Sequence, residues 1–411
     1  MNRQQAQALD RADPVAEKRS EFMLPDQVIY LDGNSLGAMP VAANERALKL
    51  MRQQWSQDLV RSWNDHNWID LPVATGEKIA TLLGASEGQV VCCDSTSVNL
   101  FKLLCSALGM QEGRRIVLSQ VDNFPTDLYM VQGLSRLSGD KVCQLEVVEE
   151  AEIASRLDEK VAVLLLTHVN YRSGRLHDIR RLTELAHQKG ALVIWDLAHS
   201  TGVLPLELDL CRVDFAVGCG YKYLNGGPGA PGFLYVAKRH HGSVSQPLSG
   251  WMGHAEPFAF GEDYQAAPGV NQYLCGTPPV LSMSVMDAAL SVFDGVDMAD
   301  LRAKSMALTG LFAQLVANNA QLDDFVLISP EAAHLRGSQL AYSHPNAYSI
   351  CQVLIERGVI ADFRAPDVLR FGFAPLYVRY QDVWDAVNIL TEVMANKDYQ
   401  RDIYQRVRKV T

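Results

Sequence analysis

Two residues define the chemistry open to this chain. The apolar run Leu192-Val193-Ile194-Trp195 ends in Asp196. A second apolar run, Phe215 to Cys219, leads into Gly220-Tyr221-Lys222 and the loop Gly226-Gly227-Pro228-Gly229. An acid and a lysine, each just past a buried strand, suit pyridoxal phosphate (PLP). The lysine amine can hold the aldehyde as a Schiff base, and the acid can keep the pyridine nitrogen protonated so that the ring draws electrons. A lysine taken alone is a solvated surface residue; on a tight turn between an apolar run and a glycine loop, Lys222 reads as functional. A carboxylate placed like Asp196 needs a partner, because an unpaired buried charge is costly. A pyridinium N–H is one such partner. A helix N-cap is the bland alternative, although Asp-Leu-Ala-His-Ser opens no clear helical pattern. His199 reads equally well as a neighbour of that acid or cofactor and as a structural histidine.

Further groups fall at comparable places. Asp94-Ser95-Thr96-Ser97 precedes the amphipathic stretch Leu100 to Leu108. Small hydroxyl residues there cap a helix, and the same geometry binds phosphate through N–H groups and the helix dipole. Phe124-Pro125-Thr126-Asp127 offers an aromatic face, which packs into a core or stacks on a flat ring; Asp127 by itself reads as a cap. Neither GxGxxG nor GxxxxGK[ST] stands at a strand–helix junction, so dinucleotide and nucleoside-triphosphate readings fall away. The adjacent His240-His241 has no acid at ligand spacing, and no metal is expected.

The elements that must position these groups alternate. Helix and strand patterns interchange from about Gly76 to Val236, with near-continuous apolar strands at Val90–Cys93, Arg115–Ser119, Lys141–Glu146, Val161–Thr167, Leu192–Asp196, Phe215–Cys219 and Gly232–Ala237. Such alternation means an α/β protein with a mostly parallel sheet covered on both faces. Ligands of open parallel sheets sit beyond the carboxyl ends of the strands. Thr96, Phe124, Thr167, Asp196 and Lys222 all follow predicted strands, so separate segments deliver useful groups to one edge. A short strand at Val28–Leu31 leads into the turn Asp32 to Gly37, and a helix is expected over Val41–Leu59. One long helix is expected from about Pro278 to Asn319, with later strands near Gln339–Ser343 and Val368–Gly372. The expected organisation is an N-terminal segment, 1–60, packing on a small α+β domain, 281–411, with a large cofactor-binding domain, 61–280, between them.

The 411 residues suit two domains; 48% are hydrophobic and 20% charged, as in ordinary globular proteins. A formal charge of -10 argues against nucleic acid or an anionic membrane as partner, while leaving room for a small anion held by local donors. No apolar run reaches membrane-spanning length. The opening MNRQQAQALDRADP lacks the apolar core of a signal sequence, and none of the eight cysteines forms a CxxC pair. The expectation is a cytoplasmic protein with reduced thiols.

The motifs YLDGNSLGAMP, TSVNL, FPTD, DLAHSTG, CGYKYLNGGPGAPG, GWMGH and RFGFAPLY together resemble those of the kynureninase family, fold-type-I PLP enzymes of the class V aminotransferase superfamily. The resemblance covers most of the chain. It implies a seven-stranded large-domain sheet and PLP-dependent hydrolysis of the Cβ–Cγ bond of L-kynurenine or 3-hydroxykynurenine. The products would be anthranilate, or its 3-hydroxy form, and L-alanine, in tryptophan catabolism. Carried over residue by residue, it implies that Lys222 bonds to the cofactor and that Asp196 pairs with the pyridine nitrogen, with His199 nearby. Thr96 and Ser97 would bind the phosphate, helped by Tyr221, which is also the expected proton donor. Phe124 would stack on the ring within a segment, with Pro125, Thr126 and Asp127, that lines the cofactor. Thr167 would sit near the phenolic oxygen. Trp251 and Thr277 would reach the cofactor from the partner subunit of a homodimer; where many relatives have asparagine before Pro278, this chain has Thr277. Arg370 would clamp the substrate α-carboxylate, Ser35 would approach the substrate, and Trp63 would lie by its aromatic ring, disfavouring a 3-hydroxyl.

Rival readings on the same residues are weaker. A cysteine desulfurase needs a reactive thiol on a mobile loop, and Cys351 lies in the apolar helical pattern Tyr348 to Ile355. An aminotransferase would release a keto acid. A non-catalytic PLP-binding regulator would carry a basic nucleic-acid-binding domain, which the sequence lacks.

Overall fold

The computed structural model describes residues 1–139 and 141–406; residues 407–411 of the expected C-terminal unit lie outside the described residues. After a short β1 (Ile29–Tyr30), the chain forms β2 (Val90–Cys92), β3 (Ile116–Gln120), β4 (Gln144–Val148), β5 (Val161–Thr167), β6 (Leu192–Asp196), β7 (Phe215–Cys219) and β8 (Gly232–Val236). These last seven make one sheet in the order β2-β8-β7-β6-β5-β3-β4. Every neighbour pair is parallel except those made by β8, which runs against both β2 and β7. The architecture is therefore the expected α/β fold with a mostly parallel seven-stranded sheet.

The sheet forms because its central strands are apolar on both faces. Alternate residues feed two separate cores, as the two-residue strand period requires. Val193 and Trp195 of β6 pack into one, and Ile194 of the same strand packs into the other. Helices cover each face, including Thr96–Gly109, Pro125–Ser138 and Ile179–Gln188.

The C-terminal region adds an antiparallel sheet of β9 (Val326–Leu327), β10 (Gln339–Ser343), β12 (Asp362–Arg364) and β13 (Val368–Gly372), in the order β12-β13-β10-β9. Strand β11 (Val359–Ile360) pairs in parallel with β1. Other links tie the N-terminal segment to the same region. Asp10 accepts from the backbone N–H groups of Tyr380 and Gln381 at 2.6 and 3.1 Å, and Asp13 pairs with the buried Lys304 at 2.6 Å.

Two expected helices differ. The stretch from Pro278 to Asn319 is broken into Val280–Ala289 and Met298–Ala317. The first passes into a 3-10 turn over Leu290–Phe293, Gly295 at φ +72° takes a left-handed conformation in the connection, and the Asp297 carboxylate caps the second helix by accepting from Ala299 N at 2.7 Å. The helix begun at Val41 ends as an α-helix at Lys49 and continues as a π-helix over Leu50–Asp58. Its wider turn buries Leu50 and Gln54, and the Gln54 side chain accepts from Trp68 Nε1 at 3.1 Å.

Candidate active site

The site lies where β6 and β7 end. Beyond β7 the chain turns through Gly220-Tyr221-Lys222; Gly220 N donates to Pro231 O at 3.0 Å and Asn225 N to Lys222 O at 2.9 Å. The GNSLG segment closes over this turn, with Gly37 N donating to Tyr221 O at 2.8 Å. A Cβ on Gly37 would stand 2.3 Å from Lys222 O, so only glycine permits that approach. The late RFG segment does the same on the other side, because a Cβ on Gly372 would meet Asn34 Oδ1 at 1.8 Å. These two glycines explain why motifs distant in sequence belong to one site.

Lys222, Asp196, Asp127, His199, Tyr221, Phe124, Thr126, Thr96 and Ser97 line one cavity of about 300 Å³. Lys222 Nζ lies 3.3 Å from His199 Nε2 and 5.9 Å from the centre of the Phe124 ring. Asp196 is 3% exposed and accepts from Ala198 N at 2.8 Å through one oxygen. Burial pushes its carboxyl above the usual range, opposed by Lys222. Asp127, in the first turn of Pro125–Ser138, caps nothing with its side chain. It stands beside Asp196, and burial together with the Asp196 charge drives its carboxyl well up. Burial, Lys222 and two arginines hold His199 neutral. The Tyr221 phenol is raised by Cys219 and by burial, and stays protonated at neutral pH.

At the phosphate end Ser95, not Thr96 or Ser97, is the N-cap, accepting from Val98 N at 3.4 Å. The Thr96 hydroxyl donates to Gly218 O at 3.2 Å, so the first-turn N–H groups are the donors this end offers most directly.

A second lobe of about 370 Å³ shares Phe124, His199, Tyr221 and Lys222 with the first and adds Asn34, Ser35, Pro125, Tyr171, Arg364 and Arg370. Arg370 is 1% exposed and grips Asp362 with both edges of its fork, Nε to Oδ1 at 2.8 Å and Nη2 to Oδ2 at 2.5 Å. Ser35 Oγ donates to Asp362 Oδ2 at 2.7 Å.

Four expected residues lie outside both lobes. Thr167 is buried behind the cavity, its hydroxyl 3.3 Å from Asp127 Oδ2, so it positions that acid. Trp251 is 39% exposed and packs edge-on against Phe258, and Thr277 is exposed. Trp63 is half-buried against Trp68, ring centres 5.7 Å apart. Conversely, Tyr171, Asp362 and Arg364 do not stand out in the sequence. Asp362 faces Arg370 in register across β12 and β13, and Arg364 lies two residues along on the same face. An Asp-x-Arg strand near RFG is the one sequence signal for this pair.

The donor set fits PLP. The Nδ1 atom of His199 is buried with no partner in a cavity that holds a lysine, a buried carboxylate and a helix start. The fold is shared with solved structures: an apo cysteine desulfurase from Thermococcus onnurineus NA1 aligns with TM-score 0.77 at 16% identity, covering 92% of this chain and 98% of that one. A cysteine desulfurase from Escherichia coli aligns with TM-score 0.77 at 20% identity, covering 93% and 98%. The likeness shows a shared fold, and the cavity beyond its strands offers a lysine, a buried acid and a helix start that suit PLP.

The sequence narrows this further. Residues 301–390 match the model of the kynureninase C-terminal domain. The chain is 48% identical to a kynureninase of Burkholderia pseudomallei over 397 residues, 95% of each, and 46% identical to one of Pseudomonas fluorescens over 408 residues, 98% of each. The chain belongs to the kynureninase family, PLP-dependent hydrolases of carbon–carbon bonds.

Proposed function

We propose that the enzyme cleaves the Cβ–Cγ bond of L-kynurenine with water, releasing anthranilate and L-alanine, as a step of tryptophan catabolism. The observation that carries this reading is the meeting of Lys222, Asp196 and the start of the Thr96–Gly109 helix around one cavity, with an arginine-walled lobe alongside. PLP, when bound, supplies an electron sink that stabilises negative charge at Cα and Cβ of the substrate. Lys222 would hold its aldehyde, Asp196 its ring nitrogen, and the helix start its phosphate. Phe124 and His199 wall the ring's space.

With its amine free, Lys222 would be the base positioned to take the proton from Cα. The neutral His199 at 3.3 Å does not add a like charge beside it. Tyr221 keeps its proton at neutral pH and is suited to deliver one to Cβ after anthranilate departs. The second lobe receives the amino-acid end of the substrate. Cysteine chemistry is disfavoured, because Cys351 is fully buried and burial drives its thiol far up.

We further propose a cytoplasmic homodimer in which Trp251 and Thr277 serve the partner's cavity. Their exposure outside their own cavity supports this, and the lack of any disulfide among the described residues suits a reducing compartment. Sedimentation as a dimer is expected, and a fully active monomer would refute the sharing. For the activity itself, anthranilate fluorescence from purified protein and L-kynurenine is the test. Pyruvate or sulfide formation in its place would overturn the reading.

A further inference from the structure

We infer that Lys102 readies the start of the Thr96–Gly109 helix for the cofactor phosphate by cancelling the charge of Asp94, the residue just before the helix cap. This inference rests on the placement of the phosphate at that helix start, argued above. Lys102 lies on the second turn of the helix, and its side chain is 0% exposed. Long helical side chains lean toward the N-terminus, and this one reaches back to Asp94, Nζ to Oδ2 at 2.5 Å. Nζ also donates to the Tyr273 carbonyl. Burial opposes the charge of the amine, but Cys93 and Asp94 outweigh burial and keep it a cation at neutral pH.

An ammonium wholly removed from water is costly, so its place needs a reason. The walls of the phosphate end supply one. The cavity that holds Thr96 and Ser97 shares Ser95, Tyr221 and Ala230 with a second cavity, of about 620 Å³, which Asp94 also lines. Among the described residues lining the two, Lys222 is the one cation, and its amine is assigned to the aldehyde. The phosphate is thus left to backbone N–H groups, hydroxyls and the helix dipole. A bare carboxylate one residue before the cap would repel a dianion there. Lys102 removes that repulsion from the buried side without entering the site.

The same pair fixes the turn. Asp94 holds φ at +45°, uncommon for residues other than glycine, and its carbonyl accepts from Gly232 N at 2.7 Å. Asparagine tolerates that conformation as aspartate does, so the charge of Asp94 can be removed without altering the backbone.

The test titrates the full-length apoenzyme with PLP and with pyridoxal, which has the same ring and aldehyde but no phosphate, following visible absorbance. Lys102→Met nearly keeps the side-chain length and leaves Asp94 unpaired. Its dissociation constant for PLP should rise about 10- to 100-fold, with that for pyridoxal staying within about two-fold of the parent's. Adding Asp94→Asn to Lys102→Met should return PLP affinity to within about three-fold of the parent's, because no charge is then left unpaired. Asp94→Asn alone should bind PLP at least as tightly as the parent and melt at a lower temperature, since it strands a buried cation. A double variant that stays more than about ten-fold weaker than the parent overturns the inference, because packing and not charge then explains the loss. Weakened PLP binding in Asp94→Asn overturns it too, and that result needs no folded Lys102→Met for comparison. A parent that binds PLP no more tightly than pyridoxal overturns the phosphate placement and this inference with it.

Discussion

Asp196 and Asp214 are buried to nearly the same degree, 3% and 1% exposed, yet they sit at opposite edges of the sheet and behave in opposite ways. Asp214, just before β7 at the amino edge, accepts from His187 and His240 at 2.8 Å each, from Arg239 at 2.6 Å and from Val193 N at 2.9 Å. Burial alone would push its carboxyl up, but the two histidines outweigh that and hold it below the usual range. Asp196, closing β6 at the carboxyl edge, accepts one backbone N–H and is raised by burial, although Lys222 and a hydrogen bond from the neighbouring Asp127 oppose the rise. A buried carboxylate saturated by the chain's own donors is architecture. One left short, opposite a lysine, is reserved for a partner from outside.

Substitutions should separate the two edges. The largest effect is expected for Lys222→Ala: anthranilate release falls at least about 10³-fold and the visible cofactor absorbance is lost, while far-ultraviolet circular dichroism is kept. Loss of folded structure instead would make Lys222 architectural. Asp196→Asn should lower turnover at least about 100-fold without lowering the melting temperature, because it removes a buried, under-satisfied charge.

Asp214→Asn should do the reverse. It costs about 3 kcal/mol by stranding cationic and N–H donors, and leaves turnover of the folded enzyme within about two-fold. Denaturant unfolding at neutral pH measures the first and the anthranilate assay the second. If Asp214→Asn proved silent in stability, the contrast between the edges would fail.

The smallest effect is in pH dependence. Asp32, raised to about 7, favours the folded state while protonated; that contribution is present below the unfolded value and fades as pH rises through 7. Asp214, depressed, contributes at neutral pH and loses its contribution as pH falls below the ordinary carboxylate range. The melting-temperature advantage of Asp32→Asn over the parent should therefore grow between pH 5 and about pH 8. A constant offset would mean that Asp32 does not titrate there.

Much of the fold is legible in the residues themselves. The apolar runs mark strands β5, β6 and β7 to the residue, because buried parallel strands are written as unbroken apolar stretches. Lys222 and Asp196 are legible for the same reason, since each follows such a run. The break at Gly295 is harder to see although Phe-Asp-Gly-Val-Asp carries a turn and a cap, because the apolar pattern on either side continues. The π-helix at Leu50–Asp58 leaves no local mark, since its register depends on what Gln54 and Trp68 do in the core.

The cluster of Asp362, Arg364 and Arg370 depends on cross-strand register, and the pairing of Asp127 with Asp196 on a helix start meeting a strand end. Asp214 reads along the chain as one more acid in a loop; its histidine partners come from a helix end and a segment beyond β8. Hydrophobic period and strand order, both written in the chain, settle the sheet, the edge at which chemistry gathers and the residue types delivered there. Which buried charges are paired, and which await a ligand, follows only from the folded arrangement, because pairing is set by distances of a few ångströms between segments far apart in the chain.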